Sequence, residues 1–200
     1  FEALETILEK HPQILILGDE VYEYITFSQP HISFNTRLKL IDRTIIASSF
    51  GKSLHVTGWK VGYLIAPENL MFEMKKVHQF LVFSVNSFSQ HAISEYLDVV
   101  DFSEVSKMYQ RKRDLFQNLI KDSRFELMPC DGTYFQVVNY NQISEKNDVD
   151  FAKELIVNHG VASIPISVFY NDNTDRHMLR FCFAKTDETL MAAAEKLNQI

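Results

Sequence analysis

The sequence has 200 residues, 46% of them hydrophobic, so it is long enough to bury a substantial core. Acidic side chains outnumber basic ones by 26 to 20, which gives a formal net charge of −6, and the two signs are interspersed. This pattern argues against a nucleic-acid partner, because no basic stripe is present to follow a phosphate backbone. Apolar stretches such as 14–17 are far shorter than the roughly 20 residues that a membrane-spanning helix needs.

The two cysteines, Cys130 and Cys182, lie far apart and have no cysteine or histidine cluster beside them. Neither a disulfide framework nor a zinc site is expected, and a reducing, cytoplasmic setting fits best. The chain starts with Phe1 rather than Met, and the next residues predict a helix rather than a signal peptide. We therefore expect the sequence to be a piece of a longer protein.

Apolar runs in the first hundred residues predict a buried sheet. Strands are predicted at 13–17, 44–48 and 60–66, and helices at 1–10, 68–80 and 89–99. Because all three strands are strongly apolar, we expect a sheet that is covered on both faces.

The pattern changes beyond residue 100. The polar, charged segment 102–121 predicts an exposed connecting helix, and the neighbourhood of residue 100 a hinge. After it, strands are predicted at 125–128, 133–139, 161–166 and 177–184, and helices at 150–159 and 187–199. The predicted organisation is thus an α/β part at 1–100, a connecting helix at 101–121 and a small α+β domain at 122–200.

Asp19 follows the first predicted strand, and ligands of open α/β sheets bind outside the carboxyl ends of strands. A lone Asp at such a place is commonly a turn or helix-capping residue. The functional alternative is a carboxylate that pairs with a cationic ring nitrogen of a cofactor. Tyr22 would then supply a phenol hydroxyl to the same cofactor, although a tyrosine after a strand also commonly packs half-buried.

Lys52 follows the second predicted strand after a polar turn. Most lysines are solvated surface charges. In a partly desolvated cleft, however, the neutral amine becomes a nucleophile toward a carbonyl and then a carrier of protons. Ser49 and Lys60 flank Lys52, and a hydroxyl together with an ammonium near a strand end suits a phosphate group.

Arg180 interrupts an otherwise apolar predicted strand, where burying a guanidinium without a partner is costly. It either faces a cleft, where its planar fork can grip a carboxylate, or forms an ion pair with Asp172 or Asp175. The seven histidines show no metal-binding pattern, and no nucleophile elbow or phosphate-binding glycine loop is present. Phe80, Phe83 and Phe88 are assigned to the core by default.

Four segments together carry a family resemblance: Gly18–Tyr22, Ser49–Ser53, Thr57–Tyr63 and Leu179–Phe183. In order and spacing they resemble class I aminotransferases of fold type I, which depend on pyridoxal 5'-phosphate. Two further runs, Lys76–Gln79 and Ile164–Phe169, resemble the methionine aminotransferase and kynurenine/glutamine transaminase branch of that class. The resemblance spans nearly the whole chain and implies the α/β fold of these enzymes.

The resemblance implies a role for each residue at the cofactor. Lys52 resembles the lysine that carries the cofactor covalently and moves the proton. Asp19 resembles the partner of the pyridine nitrogen, and Tyr22 the donor to the ring hydroxyl. Ser49 and Lys60 resemble ligands of the phosphate.

The resemblance also implies substrate contacts. Arg180 resembles the arginine that binds the α-carboxylate of the amino acid and the oxo acid. Phe83 matches a position that reaches the substrate pocket of a neighbouring subunit, which implies a homodimer with a shared active site. Tyr134 and Phe169 are placed on the small-domain side of the pocket.

The implied activity is transamination between an amino acid, which is methionine, aromatic or glutamine-like, and a 2-oxo acid. Members of the family are about twice as long as this chain, beyond the usual size of a single domain. The sequence is therefore interpreted as the C-terminal portion, inactive by itself. Two alternatives stay open: a carbon–sulfur β-lyase on the same scaffold, and a non-catalytic fragment or ligand-binding domain of the same fold.

Overall fold

The computed structural model describes residues 1–200 and divides the chain into two compact units. The first unit comprises Phe1–Tyr24 and Pro30–Ser103, and the second comprises Ile25–Gln29 and Glu104–Ile200. The short segment Ile25–Gln29 thus belongs with the C-terminal half, although both of its flanks belong with the first unit. None of the helices combines the length and apolar content that crossing a membrane requires.

A three-stranded sheet of order β1-β2-β3 forms the centre of the first unit. Its strands are β1 (Ile16–Asp19), β2 (Thr44–Ser49) and β3 (Gly62–Ile65). β1 and β2 run parallel, with Asp19 opposite Ala47, whereas β3 runs antiparallel to β2, with Gly62 opposite Ser49. The carboxyl ends of β1 and β2 and the amino end of β3 therefore meet at one edge of the sheet.

Four helices accompany this sheet: α1 (Glu2–Glu9), α2 (Phe50–Ser53), α3 (Glu68–Leu81) and α4 (Ser87–Leu97). Short 3₁₀ turns lie at Phe34–Thr36, Ile41–Arg43 and Thr57–Trp59. One apolar cluster consists of Leu8, Ile16 and Leu40, and another of Leu54, Val61 and Ile93. The clusters hold α1 against β1, and α4 against the segment that links α2 to β3.

The prediction that the sheet is covered on both faces is wrong for this chain. Leu17 pairs with Ile45 and Leu64 with Ala47, so the two leucines lie on the same face of the sheet. Leu17 is 70% exposed and Leu64 is 46% exposed. The apolar pattern of the strands anticipates burial that the rest of the chain does not provide, and this face is left open to solvent.

The second unit is built on an antiparallel sheet of order β4-β5-β7-β6. Its strands are β4 (Glu126–Leu127), β5 (Phe135–Asn139), β6 (Ile164–Pro165) and β7 (Met178–Cys182). Its helices are α5 (Phe102–Ile120), α6 (Asp148–Glu154), which runs into a π turn at Leu155–His159, and α7 (Asp187–Leu197). A 3₁₀ turn at Ser167–Phe169 follows β6. This is the α+β arrangement that the sequence predicts.

α5 differs from the exposed connecting helix that its charge predicts. Val105, Tyr109, Phe116 and Ile120 are all buried, and their spacing places them on one helical face. From Glu104 onward the helix belongs to the second unit. The many charged residues on its other face conceal an amphipathic pattern, which is why the sequence reads as wholly polar.

Residues 25–29 are anchored inside the second unit. Thr26 forms an isolated antiparallel bridge with Gly132, and Ile25 is only 1% exposed. The guanidinium carbon of Arg113 lies 4.5 Å from the centre of the Phe27 ring. These contacts join a segment from the first thirty residues to α5 and to the loop before β5, which lie far along the chain.

Candidate active site

Asp19 is the last residue of β1 and is exposed at the strand end. Its Oδ1 accepts a hydrogen bond from the backbone N–H of Val21 at 3.3 Å, so the turn interpretation describes part of its bonding. Glu20, the next residue, is buried instead, since successive side chains of an extended segment alternate between faces. The acidic pair therefore splits into an outward and an inward carboxylate.

β2 runs directly into α2, which presents Lys52. Ser49 caps this short helix, its Oγ accepting a hydrogen bond from the Gly51 N–H at 3.1 Å. A Cβ on Gly51 would lie 3.0 Å from the Thr57 Cα, which is tighter than most such contacts, so the glycine helps the following turn to approach closely. Lys52 is half-buried, and its Nζ lies 5.9 Å from the centre of the Tyr22 ring.

Lys60 directly follows the 3₁₀ turn Thr57–Trp59 and adopts the left-handed conformation, with φ at 58°. This conformation is uncommon for a residue with a Cβ and is found preferentially at functional sites. Lys60 is exposed and lies two residues before Gly62, which pairs with Ser49. The structure thus brings the Lys60 segment to the strand edge that carries Ser49.

A hydrogen-bonded cluster beneath this edge escaped the sequence analysis. The Glu23 Oε1 accepts hydrogen bonds from the Ser48 Oγ at 2.7 Å and from the Tyr63 hydroxyl at 2.6 Å. Ser48 and Tyr63 are paired across β2 and β3, so Glu23 ties the loop that carries Tyr22 to both strands. Burial, together with the hydrogen bond to Glu23, raises the pKa of Tyr63 to about 12. The sequence did carry one signal for this cluster, because Ser48 and Tyr63 are polar residues within otherwise apolar strands.

Glu20 fixes the other side of the same loop. Its carboxylate accepts the backbone N–H of Phe34 at 3.0 Å and lies 2.9 Å from the His31 Nε2. Burial alone would raise the pKa of Glu20, but hydrogen bonds from His31, Ser33 and Phe34 outweigh it, and the pKa falls below its usual value. The ionised carboxylate is therefore a structural anchor.

In the second unit, the Arg180 guanidinium lies over two aromatic rings. Its guanidinium carbon lies 4.0 Å from the centre of the Phe135 ring and 5.0 Å from that of Phe169. Of the two alternatives for Arg180, the ion pair with Asp172 or Asp175 does not form. Asp172 bonds within its own turn to Thr174, and Asp175 accepts backbone N–H groups of Asp148 and His177.

Arg180, Phe135 and Ser163 line a cavity of about 380 Å³ within the second unit. The Arg180 Nε and the Ser163 Oγ are both buried and have no hydrogen-bond partner. Buried polar atoms are rarely left unpaired, because each unmet hydrogen bond costs about 1–3 kcal/mol. A donor held over two rings with unused hydrogen-bonding capacity suits a bound carboxylate.

The structure brings only some of the predicted substrate residues next to Arg180. Phe169 joins Arg180 directly, whereas Tyr134 packs on Phe135, with the ring centres 4.7 Å apart. Phe83 follows α3 in the left-handed conformation, with φ at 65°, and is 85% exposed. Assigning Phe80, Phe83 and Phe88 to the core is wrong, because the three side chains are 85%, 85% and 87% exposed.

Comparison with known proteins places this geometry in a family. The family model "Aminotransferase class I and II" matches residues 1–197. The chain belongs to the class I and II aminotransferases. This confirms the family resemblance drawn from the four segments around Asp19, Lys52, Lys60 and Arg180.

Among the relatives of this class I and II aminotransferase chain is the methionine aminotransferase of Escherichia coli (strain K12), 44% identical over 203 residues. A kynurenine–oxoglutarate transaminase of Dictyostelium discoideum is 32% identical over 224 residues. Each alignment covers 100% of this chain and 52% of the relative. The chain thus spans about half the length of the curated relatives it matches.

Solved structures support the same fold for the aminotransferase chain. A structure described as a methionine aminotransferase from Escherichia coli matches with a TM-score of 0.93 and 42% identity, covering 100% of this chain and 55% of that one. The N-succinyldiaminopimelate aminotransferase of Mycobacterium tuberculosis matches with a TM-score of 0.92 and 28% identity, covering 98% and 52%. The predicted fold type I architecture is confirmed.

Proposed function

We propose that this chain is part of a pyridoxal 5'-phosphate-dependent aminotransferase that exchanges an amino group between an amino acid and a 2-oxo acid. The observation that carries the proposal is the placement of Lys52. Lys52 is half-buried and lies one helical turn beyond β2, with its Nζ beside the Tyr22 ring, at the sheet edge where Asp19 ends β1. Family membership and the relatives' names support the same chemistry.

The groups at this edge fit the cofactor. Lys52 would hold it covalently, Asp19 would face the ring nitrogen, and Tyr22 would donate to the ring hydroxyl. Ser49 and Lys60 offer a hydroxyl and an ammonium, which together suit a phosphate. When bound, the cofactor supplies a carbonyl that reacts with amines and a ring that accepts electrons from the substrate.

The residues of this chain then have separate roles in amino transfer. The Lys52 Nζ takes a proton from the substrate and returns it, which a half-buried amine can do at short range. The Asp19 carboxylate presents a fixed negative charge at the end of β1. The Glu23 cluster holds Ser48 and Tyr63 together, which keeps the two strand ends that frame Lys52 in register.

Arg180 is proposed to bind the α-carboxylate of both substrates. Its guanidinium lies over the rings of Phe135 and Phe169, and its buried Nε has no hydrogen-bond partner. Tyr134 and Phe169 would contact the substrate side chain, which we propose is methionine, aromatic or glutamine-like. The names of the methionine aminotransferase and kynurenine transaminase relatives support that range.

We further propose a cytoplasmic homodimer whose active site is shared between subunits. The apolar surface formed by Phe80, Leu81, Phe83 and Phe88, each at least 78% exposed, supports a second copy as its occupant. Phe83 would then reach the neighbouring pocket. Sedimentation equilibrium should show a dimer that Phe83→Ser weakens; a monomer at all concentrations would contradict the proposal.

The domain assignment stays part of the proposal: 1–100 as the C-terminal part of the cofactor-binding domain, 101–121 as a connecting helix and 122–200 as the small domain. We propose that the 200-residue chain is inactive alone. Its sheet leaves Leu17 and Leu64 exposed, and it spans about half the length of its relatives. Transamination by a product of verified mass of 23.3 kDa would contradict this.

The deciding experiment measures the intact mass of the protein in its source, then reduces it with borohydride in the presence of cofactor and maps the label. We expect the label on Lys52, and none after Lys52→Arg, with Lys75→Arg as the matched control. Label on another residue would overturn the assignment of roles. Ammonia and pyruvate released from a cysteine conjugate, without exchange that depends on an oxo acid, would favour the β-lyase.

A further inference from the structure

Asp148 and Ser167 form a buried clamp in the second unit. Asp148 is 1% exposed and Ser167 is 5% exposed. One carboxylate oxygen accepts the Ser167 backbone N–H at 2.7 Å, and the other accepts the Ser167 hydroxyl at 2.6 Å. Both oxygens of one carboxylate are therefore used on a single residue, an arrangement that fixes the position and direction of the chain at Ser167.

Ser167 begins the three-residue 3₁₀ turn that ends at Phe169. Phe169 is 59% exposed, so packing contributes little to holding its ring 5.0 Å from the Arg180 guanidinium. The turn is short and closes through the hydrogen bond from the Tyr170 N–H to the Ser167 carbonyl. The position of Ser167 therefore sets the position of Phe169.

Asp148 is connected to the Arg180 strand as well. Its backbone N–H donates to the Asp175 Oδ2 at 3.1 Å, and the Asp175 Oδ1 accepts the His177 N–H at 2.7 Å. His177 directly precedes β7 and is held in the left-handed conformation, with φ at 54°. One buried aspartate thus bonds on one side to the turn that carries Phe169 and on the other to the start of the strand that carries Arg180.

We propose that Asp148 is a positioning residue for Arg180. By clamping Ser167 it sets the Phe169 ring against the guanidinium, and this raises the affinity of Arg180 for a substrate carboxylate. The inference rests on the proposed function for the carboxylate itself. The clamp, however, makes a separate prediction about the order of the 167–170 turn.

The test uses the 200-residue chain and the variant Ser167→Ala, which removes the 2.6 Å bond and keeps the backbone bond. Ser123→Ala is the matched control, because Ser123 makes an equally short bond to the Ile120 carbonyl in the same unit. Amide hydrogen exchange reports the order of the turn. Titration with the 2-oxo acid of methionine, followed at the Arg180 Nε–H resonance, reports carboxylate affinity.

We expect faster exchange at 168–170 and about a tenfold higher Kd in Ser167→Ala, a change of about 1.4 kcal/mol. Ser123→Ala should change neither the exchange rate at 168–170 nor the Kd. This should hold even if Ser123→Ala and Ser167→Ala both lower the melting temperature. Asp148→Asn should retain part of the affinity that Asp148→Ala loses, because an amide can still bond to both Ser167 groups.

Unchanged exchange together with unchanged affinity in Ser167→Ala would overturn the inference. If Arg180 in the wild-type chain does not respond to the oxo acid, the carboxylate-binding role proposed for Arg180 in this chain fails. The affinity role proposed for Asp148 then falls with it, and the exchange measurement alone decides whether the clamp orders the turn.

Discussion

The Lys52 Nζ lies 5.9 Å from the centre of the Tyr22 ring. The two residues reach the same place from different strands, Tyr22 after β1 and Lys52 after β2. The tyrosine therefore has two separable parts, a ring beside the amine and a hydroxyl proposed to contact the cofactor.

Replacing Tyr22 should separate these two parts. Tyr22→Phe keeps the ring and removes the hydroxyl, so cofactor affinity should fall about tenfold, as expected for one lost hydrogen bond. Tyr22→Ala should lower it further, because the ring contact with Lys52 is lost too. An absorbance titration with cofactor gives both values, and equal losses would show that the ring contributes nothing.

Replacing Lys60 with asparagine should preserve the fold but weaken cofactor binding. Asparagine accepts the left-handed conformation readily, so Lys60→Asn should leave the melting temperature nearly unchanged. The loss of the cation should weaken cofactor binding by roughly tenfold or more. Lys60→Arg, which keeps the charge, is the control. If both variants bind the cofactor like the wild type, Lys60 is not a phosphate ligand.

Gly62 marks a close contact at the same sheet edge. A Cβ at this position would lie 2.7 Å from the Ser48 carbonyl oxygen, so Gly62→Ala must push β3 away from β2. We expect a loss of about 1–3 kcal/mol in the free energy of unfolding, measured by urea denaturation. Gly58→Ala is the control, since a Cβ there meets nothing within 4 Å. Equal stability of the two variants would contradict the contact.

Glu20 should make the stability of the first unit depend on pH. Its pKa in the folded chain is lower than the usual 4.5, so its ionised form stabilises the fold above that value. This contribution is lost as the pH falls through the lowered pKa. Glu20→Gln should therefore cost stability at pH 7 and progressively less below about pH 4.5. Urea denaturation across this pH range measures the effect, and Glu2→Gln, at an exposed position, is the control. A difference in stability between wild type and Glu20→Gln that does not depend on pH would argue against an ionised Glu20.

Arg180→Lys should weaken substrate carboxylate binding and leave cofactor binding intact. Lysine keeps the charge but lacks the planar fork that lies over Phe135 and Phe169. KM is measured in the longer protein of which this chain is proposed to be a part, and for both substrates it should rise about tenfold or more. Arg176→Lys is the matched control, because Arg176 stacks on Tyr170 alone, 5.2 Å from the ring centre, and is exposed. A similar rise in KM for both variants would remove the special role of Arg180.

The sequence predicted the parts of the site that depend on local order along the chain. Asp19 and Lys52 both stand just after apolar runs, and the strand pattern placed both runs in one sheet. β6 was predicted as a six-residue strand, yet only Ile164–Pro165 pairs with β7. Apolar character alone does not tell where a strand leaves its neighbour.

The sequence could not predict contacts that join distant segments. Glu23 meets Tyr63 and Asp148 meets Ser167 through hydrogen bonds that no periodicity encodes. Exposure was also beyond reach, since the side chains of Leu17 and Phe83 are apolar but face solvent in this chain. A hydrophobic pattern predicts that a surface is suited to burial, and what covers it is a property of the whole assembly.

Residues 25–29 have a consequence for dissecting the protein. The second unit is built from two separate stretches of chain, so no single cleavage can release it intact. A fragment that starts at Glu104 would lack Thr26, the bridge partner of Gly132, and Phe27, the ring beneath Arg113. Such a fragment would also lack Ile25, which is only 1% exposed in the whole chain. A workable excision would have to keep the five-residue segment, for example by joining Gln29 to Glu104 through a short linker.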